Sequence, residues 1–445
     1  MKYRHKHLFI AIIIAFVTAL TPTIVFAQNI PDIDAPNGIL IDYETGKVLF
    51  DKNAHIQAYP ASTTKVMTAI LTLENANLND RVTIDYDLYV EGSSMFLLKG
   101  ESFTVEELLE ALLIKSANDC AEALAIHITG SVEKFVEMMN KRAKELGALN
   151  TNFANPYGLA DPGHVTTAYD LAMIAKHAMT FDTFREIVST TMLNLDATEQ
   201  TPENRIYRNT NKFLWAKGGA NTMVYDGQYT DFKYDIIDGI KTGYTGKAKY
   251  CLISTGAKNE YRVISVILGA ENECVLYKDS RTLIDFGHDN FKLVQLSDKN
   301  SSQLSIDVKN GKNANVDLLA KTDKFVVLPI NKDINDIIED VTINKNIQAP
   351  VSRGQTLGRI TYFSGNESIG EVDLIAKNDV DKKSTLSKIS HPLLHPPRTL
   401  VVLICIFLLW QIFVAYLRIK KRRRRRRLAY AKKTITYTFD KNLFK

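Results

Sequence analysis

Residues 400–417, LVVLICIFLLWQIFVAYL, carry no charge and run straight into RIKKRRRRRR. As a helix, the eighteen uncharged residues would reach about 27 Å, close to the hydrocarbon thickness of a bilayer. Gln411 is the only strongly polar residue of the run, so the segment lacks the charged side of a helix lying on a membrane surface. Nine cations follow in ten residues. After an apolar span, the positive-inside rule reads such a flank as the cytoplasmic end and not as a nucleic-acid site. The same cations suit anionic headgroups. A single-pass chain is expected, with its body outside and residues 418–445 inside.

The other end agrees. Residues 1–27 open with Lys2, Arg4 and Lys6, continue through LFIAIIIAFVTAL and close on Val25-Phe26-Ala27. That is the pattern of a signal peptide cleaved before Gln28. Setting aside three cations in 1–27 and a net twelve in 418–445, the overall charge of +5 becomes −10 for the exported body. Four cysteines are present, and Cys405 falls in the apolar run. Cys120, Cys251 and Cys274 make an odd set, which is no disulfide framework. No metal-binding spacing occurs; neither a metal nor a cofactor is expected.

With 45% hydrophobic residues over 445 positions, the chain has core enough for two or three domains. GILIDYETGKVLFD (38–51) reads as a hairpin turning at Thr45-Gly46. Helices are expected after Ser62, over 105–115, from Asp119 to a cap at Gly130, and over 132–147. Strands return in YDIIDGIKTGYT, KYCLISTGA and YRVISVILGA, an antiparallel meander. The first hairpin and the meander would form one sheet beside an inserted helical lobe. Residues 291–376 alternate short strands with turns such as Asn310-Gly311, which reads as a small all-β domain. Residues 377–399, polar and then proline-rich, read as a stalk.

Three short motifs carry chemistry. Ser62 and Lys65, in PASTTKVMTA, share a face at a helix start. Ser116-Ala117-Asn118 lies between two helices, and Lys241-Thr242-Gly243 ends a strand. Each motif alone is weak. Ser131 and Lys134 repeat the first spacing, Ser364-Gly365-Asn366 repeats the second, and a serine at a helix start is ordinarily a cap.

Order and setting distinguish the set, which matches the signature of the penicillin-recognising serine acyltransferases. GSSMFLLKGESFTVEELLEALLIKSANDCAEALA, LGALNTNFANPYGLADPGHVTTAYDLA and DGIKTGYT extend the likeness. The chain resembles the D-alanyl-D-alanine carboxypeptidases, the low-molecular-mass penicillin-binding proteins, densely over residues 33–290. The resemblance implies an α/β (α+β) transpeptidase fold of the penicillin-binding-protein and β-lactamase type. That fold has an antiparallel sheet with a helical lobe over 28–290, followed by a small β-rich domain. It also implies removal of the terminal D-alanine from peptidoglycan stem pentapeptides through an acyl-enzyme, with β-lactams as covalent inhibitors.

On that pattern Ser62 is the nucleophile. Lys65 is its base, which must be neutral to act although a free lysine titrates near about 10.4. Burial and a second cation, Lys241, would lower it. Ser116 fits a proton relay to the leaving amine, and Asn118 a clamp on the substrate backbone. Lys241 and Thr242 face the substrate carboxylate, and Gly243 leaves room for a substrate strand. The backbone N–H groups of Ser62 and Tyr244 hold the oxyanion. Cys120 is expected to be an inert buried thiol.

The chain departs from its relatives in places. Tyr244 stands where many have histidine, and Ala248-Lys249-Tyr250 where Ala-Gly-Tyr is common. Leu276 stands where an arginine often assists carboxylate binding. Residues 223–235 look like an insertion near the site that could reshape the cleft, and the sequence leaves its effect open. Two rivals are a β-lactamase and a silent wall-binding or β-lactam-sensing protein. The first lacks an E-x-x-L-N segment for hydrolysis; the second has no reason to keep all four of Ser62, Lys65, Ser116 and Lys241.

Overall fold

The computed structural model describes residues 30–299, 301–383 and 396–439, with side chains of the last stretch confined to 400–427. The expected signal peptide and most of the stalk lie outside the described residues. The alternation of residues 38–51 folds as predicted: β1 (Asn37–Asp42) pairs antiparallel with β2 (Val48–Lys52), and Gly46 takes φ +74° in the turn. The meander is β3 (Ile237–Thr245), β4 (Lys249–Lys258) and β5 (Tyr261–Ala270). Because β1 also pairs with β5, both pieces make one antiparallel sheet in the order β2-β1-β5-β4-β3.

Successive strand residues face opposite sides, and here both sides are covered. Ile39, Ile41, Ile253, Ile264 and Val266 join the core of the helical lobe. That lobe is α1 (Lys65–Asn75), α2 (Val105–Glu110), α3 (Asn118–Thr129), α4 (Val132–Glu145), α5 (Ala168–Ala178) and α6 (Asp182–Ser189). The alternate residues Leu40, Leu252, Val263 and Ile267 pack with Leu276, Leu283 and Ile284 of α7 (Glu273–Asn290). Each such side chain contributes about 1.5–3 kcal/mol by burial. Two-sided burial explains the unbroken apolar runs of β4 and β5.

The helix expected over 105–115 is not uniform. After α2 the chain widens into a π-helical turn, Ala111–Lys115, and Ser116 at φ +67° closes it. Leu108, Leu109, Leu112 and Leu113 are buried, an apolar set that looks the same in sequence whether the turn is α or π. π turns of this kind concentrate at functional sites.

The later strands are β6 (Phe291–Ser297), β7 (Ser302–Asp307), β8 (Asn315–Ala320), β9 (Lys324–Pro329), β10 (Ile337–Ile343), β11 (Thr356–Ser364) and β12 (Glu367–Ala376). They form a two-stranded β6-β9 sheet and a five-stranded sheet in the order β7-β8-β12-β11-β10. The chain divides into two compact units. One runs to Leu296 and adds Lys324–Ile338 and Tyr362–Gly370; the other holds Ser297–Asp323, Glu339–Thr361 and the chain from Glu371. α8 (Pro396–Phe439) is the one helix among the described residues long and apolar enough to cross a membrane.

Candidate active site

Ser62 sits in a 3-10 turn, Ala61–Thr64, that feeds directly into α1. The Thr63 hydroxyl donates to the Pro60 carbonyl at 2.6 Å, tying the turn to the residue before it. Ala61 is held at φ +47°, a left-handed conformation that costs a non-glycine residue about 1–2 kcal/mol. Two glycines crowd this strained residue. A Cβ on Gly158 would stand 1.9 Å from the Ala61 carbonyl oxygen, and one on Gly243 would stand 2.9 Å from the Ser62 amide nitrogen. Gly243 therefore lets β3 press against the Ser62 backbone, a closer reason for glycine than room for a substrate strand.

Lys65 is fully buried. Its Nζ lies 2.9 Å from Ser62 Oγ, 2.6 Å from Asn118 Oδ1 and 2.8 Å from the Tyr157 carbonyl oxygen. Two of these partners can only accept, whereas the serine hydroxyl can donate. Nζ donates to all three; in the neutral form, with two N–H groups and one lone pair, the amine would satisfy the two acceptors and leave its lone pair for Ser62 Oγ–H. Burial pushes the Lys65 amine well below the usual lysine range, and the Lys241 ammonium pushes it further. Lys241 itself is 1% exposed. Burial brings it down to about 7, and its Nζ donates to the Thr242 carbonyl at 3.0 Å.

The π turn delivers Ser116 to the same cavity, a space of about 510 Å³ also lined by Ser62, Ser93, Thr242, Gly243 and Tyr244. Asn118 begins α3, and its Nδ2 donates to the Glu91 carbonyl. With Oδ1 taken by Lys65, only its second Nδ2–H is left for a bound peptide. The Thr242 hydroxyl donates to Thr210 Oγ1 at 2.7 Å, and Thr210 N donates to Ile114 O of the π turn at 3.1 Å. One residue thus ties the strand motif to the loop motif. Tyr244 is 57% exposed, with its ring centroid 4.6 Å from that of Tyr250.

The competing motifs are ordinary. The Ser131 side chain accepts from Lys134 N at 3.3 Å as the cap of α4, and Ser364-Gly365-Asn366 is the turn between β11 and β12. Cys120 is buried and its thiol is pushed well up by burial, which keeps it protonated.

None of residues 223–235 lines the cavity. The strands Thr222–Tyr225 and Gln228–Asp231 form a hairpin against α7. There the Tyr225 and Tyr234 hydroxyls donate to Asp285, and the Arg281 guanidinium lies over both rings. Phe232 stacks on Tyr277 with centroids 4.6 Å apart, so the hairpin supports one cavity wall from behind. Leu276, 2% exposed, occupies that wall.

The sequence reading missed several residues. Ser93, Arg208, Thr210 and Trp215 line the cavity, and the Tyr157 carbonyl holds Lys65. His164 is buried; its Nε2 meets Thr64 Oγ1 at 2.8 Å, and its Nδ1 accepts from Ala154 N at 3.0 Å. Desolvation lowers His164 to about 4, so it braces the nucleophile turn as a neutral ring. Among the described residues no cluster of His, Cys, Asp and Glu could hold a metal.

A family model for D-alanyl-D-alanine carboxypeptidase matches residues 24–272, and one for the penicillin-binding protein 5 C-terminal domain matches 291–382. D-alanyl-D-alanine carboxypeptidase DacF of Bacillus subtilis is 34% identical over 78% of this chain and 86% of its own length. DacC of Escherichia coli is 31% identical over 83% and 90%. The crystal structure of penicillin-binding protein 5 from Haemophilus influenzae superposes with a TM-score of 0.65 at 29% identity, covering 79% of this chain and 99% of that one.

Proposed function

The chain belongs to the D-alanyl-D-alanine carboxypeptidase family, and on that premise we propose that Ser62 is its nucleophile and Lys65 the base. It is a serine-type carboxypeptidase, and its family acts on peptidoglycan peptides ending in D-alanyl-D-alanine and binds β-lactams. The observation that carries the residue assignment is the environment of Lys65 Nζ: two acceptors, one hydroxyl and complete burial.

The Ser62 hydroxyl proton passes to Lys65 Nζ as Oγ bonds to the carbonyl carbon of the penultimate D-alanine. The Ser62 and Tyr244 N–H groups receive the oxyanion. The proton returns through the Ser116 hydroxyl to the leaving nitrogen, D-alanine departs, and an ester to Ser62 is left. Water attacks that ester with Lys65 again taking the proton, which frees the shortened stem peptide. Asn118 positions the peptide with its second Nδ2–H, and Thr242 would turn its hydroxyl proton from Thr210 Oγ1 to the terminal carboxylate. Penicillin would follow the first half of this path and stop at the ester.

Release of D-alanine from a stem pentapeptide, measured beside penicillin hydrolysis, tests the reading. D-alanine release with a long-lived penicilloyl adduct is expected. Rapid penicillin hydrolysis without D-alanine release would contradict it and leave the β-lactamase rival.

The same reading assigns residues 28–290 to catalysis, 291–376 to a small β domain and 377–399 to a stalk. Residues 400–417 would cross the membrane once, holding 418–445 in the cytoplasm. The apolar helix supports this, with mean hydropathy 2.7 in its most apolar window, as does the flank Arg418–Arg427. Protease added to wall-stripped cells should remove the body and spare a tag placed after Lys445. Loss of the tag from sealed cells would place the tail outside.

A further inference from the structure

A second cavity, of about 590 Å³, lies in the same compact unit as the catalytic one. The two share no lining residue. Tyr261, at the start of β5, and His288, near the end of α7, form part of its wall. Phe291 of β6 and Phe325 of β9 form another part. Its size falls within the ~300–1,000 Å³ of small-molecule sites.

Two groups of this wall have no partner among the described residues: the Tyr261 hydroxyl and His288 Nε2 are both buried and unbonded. Their side chains are 7% and 8% exposed, and the two rings meet edge to face with centroids 5.6 Å apart. Buried polar groups are ordinarily hydrogen-bonded, because an unmade bond forfeits the hydration the group had in water. Burial and the Lys258 ammonium hold His288 below the usual histidine range, so its ring is neutral. Burial pushes the Tyr261 phenol up, so it keeps its proton. A neutral imidazole offers one N–H and one lone pair, and a phenol donates or accepts. A ligand hydroxyl, donor and acceptor at once, matches both. The charged residues of the wall cancel, Glu44 and Glu260 against Lys258 and Lys292, which favours a neutral ligand. Phe325 is half-buried, and the negative face of an aromatic ring attracts the C–H face of a sugar.

We propose that this cavity binds a neutral saccharide, a stretch of the N-acetylated amino-sugar strand that carries the stem peptides. The cavity stands apart from the catalytic assignment; the choice of sugar rests on the carboxypeptidase reading. Such a site would keep the enzyme on its polymer between turnovers. N-acetylchitotriose, a neutral trimer of N-acetylglucosamine, is the probe, titrated into the full chain in a sugar-free detergent and followed by saturation-transfer NMR. Wild type should bind it, and bind it equally after acylation by benzylpenicillin, which occupies the catalytic cavity. Tyr261→Phe should lower the affinity about 3- to 10-fold, the worth of one neutral hydrogen bond, with acylation by benzylpenicillin within about twofold of wild type. Phe325→Leu keeps the apolar bulk without the ring and should also weaken binding. No binding by wild type, full affinity in both variants, or loss of binding on acylation would overturn the site. Failure of benzylpenicillin to acylate the wild-type chain would overturn the carboxypeptidase reading instead, with the sugar titration still deciding the cavity.

Discussion

Lys241→Met should make the protein more stable while it cripples the enzyme. The wild-type amine is 1% exposed and titrates at about 7 instead of the 10.5 of a free lysine. Because the folded state binds its proton less tightly, the unfolded chain carries more protons between those two values, and stability rises with pH through that window. Below about pH 7 the full penalty applies, on the order of 5 kcal/mol at ~1.4 kcal/mol per tenfold of proton affinity. By about pH 9.5 it has shrunk to roughly 1 kcal/mol. Methionine matches the aliphatic stem but forfeits the 3.0 Å bond to Thr242 O, about 1 kcal/mol. The variant should therefore gain about 3 kcal/mol at about pH 6.5 and little or nothing at about pH 9.5. Urea midpoints followed by tryptophan fluorescence in detergent would show it. A variant less stable than wild type at the lower pH, or one that keeps the full wild-type slope, would refute the argument. Loss of the Lys241 charge also lets the Lys65 amine rise, so residual acylation should shift to higher pH.

Lys65→Arg should be nearly as damaging as Lys65→Ala, because arginine is not deprotonated in proteins. Penicillin acylation within about tenfold of wild type, roughly 1.4 kcal/mol, would rule out a base at that position. Gly243→Ala drives a Cβ to 2.9 Å from Ser62 N and 3.1 Å from Pro60 O. It should cost about 1–3 kcal/mol in thermal unfolding and lower kcat by about 10- to 100-fold by moving the oxyanion donors. Unchanged turnover would show that β3 does not set the position of Ser62. Lys249→Gly relieves a φ of +57° and should stabilise the fold by about 1 kcal/mol, read as a higher melting temperature. Its exposed pair with Glu271, at 3.5 Å, contributes too little to reverse the sign.

What could be read before folding was whatever the chemistry dictates by residue type. A base three residues from a serine, a second serine in a helix–helix loop and a lysine on a strand are unusual together, and the structure does bring Ser62, Lys65, Ser116 and Lys241 to one site. The sheet was readable too, because burial on both faces leaves apolar runs with turns between them. The π turn was not, since its apolar positions fit an α-helix as well. The Tyr157 carbonyl could not be found, because every residue carries that group. Arg208 and Thr210 look like any surface pair until β3 and the π turn close around them. The effect of residues 223–235 could not be read, because aromatic residues near a motif in sequence need not face it; here Tyr225 and Tyr234 turn to Asp285 and Arg281.

The most direct test of the account is to find where penicillin attaches. The full chain is acylated with benzylpenicillin, digested, and the adduct located by mass spectrometry. The account predicts the added mass on Ser62 and none in Ser62→Ala. An adduct on Ser131, Ser116 or any other residue, or undiminished labelling of Ser62→Ala, would contradict it.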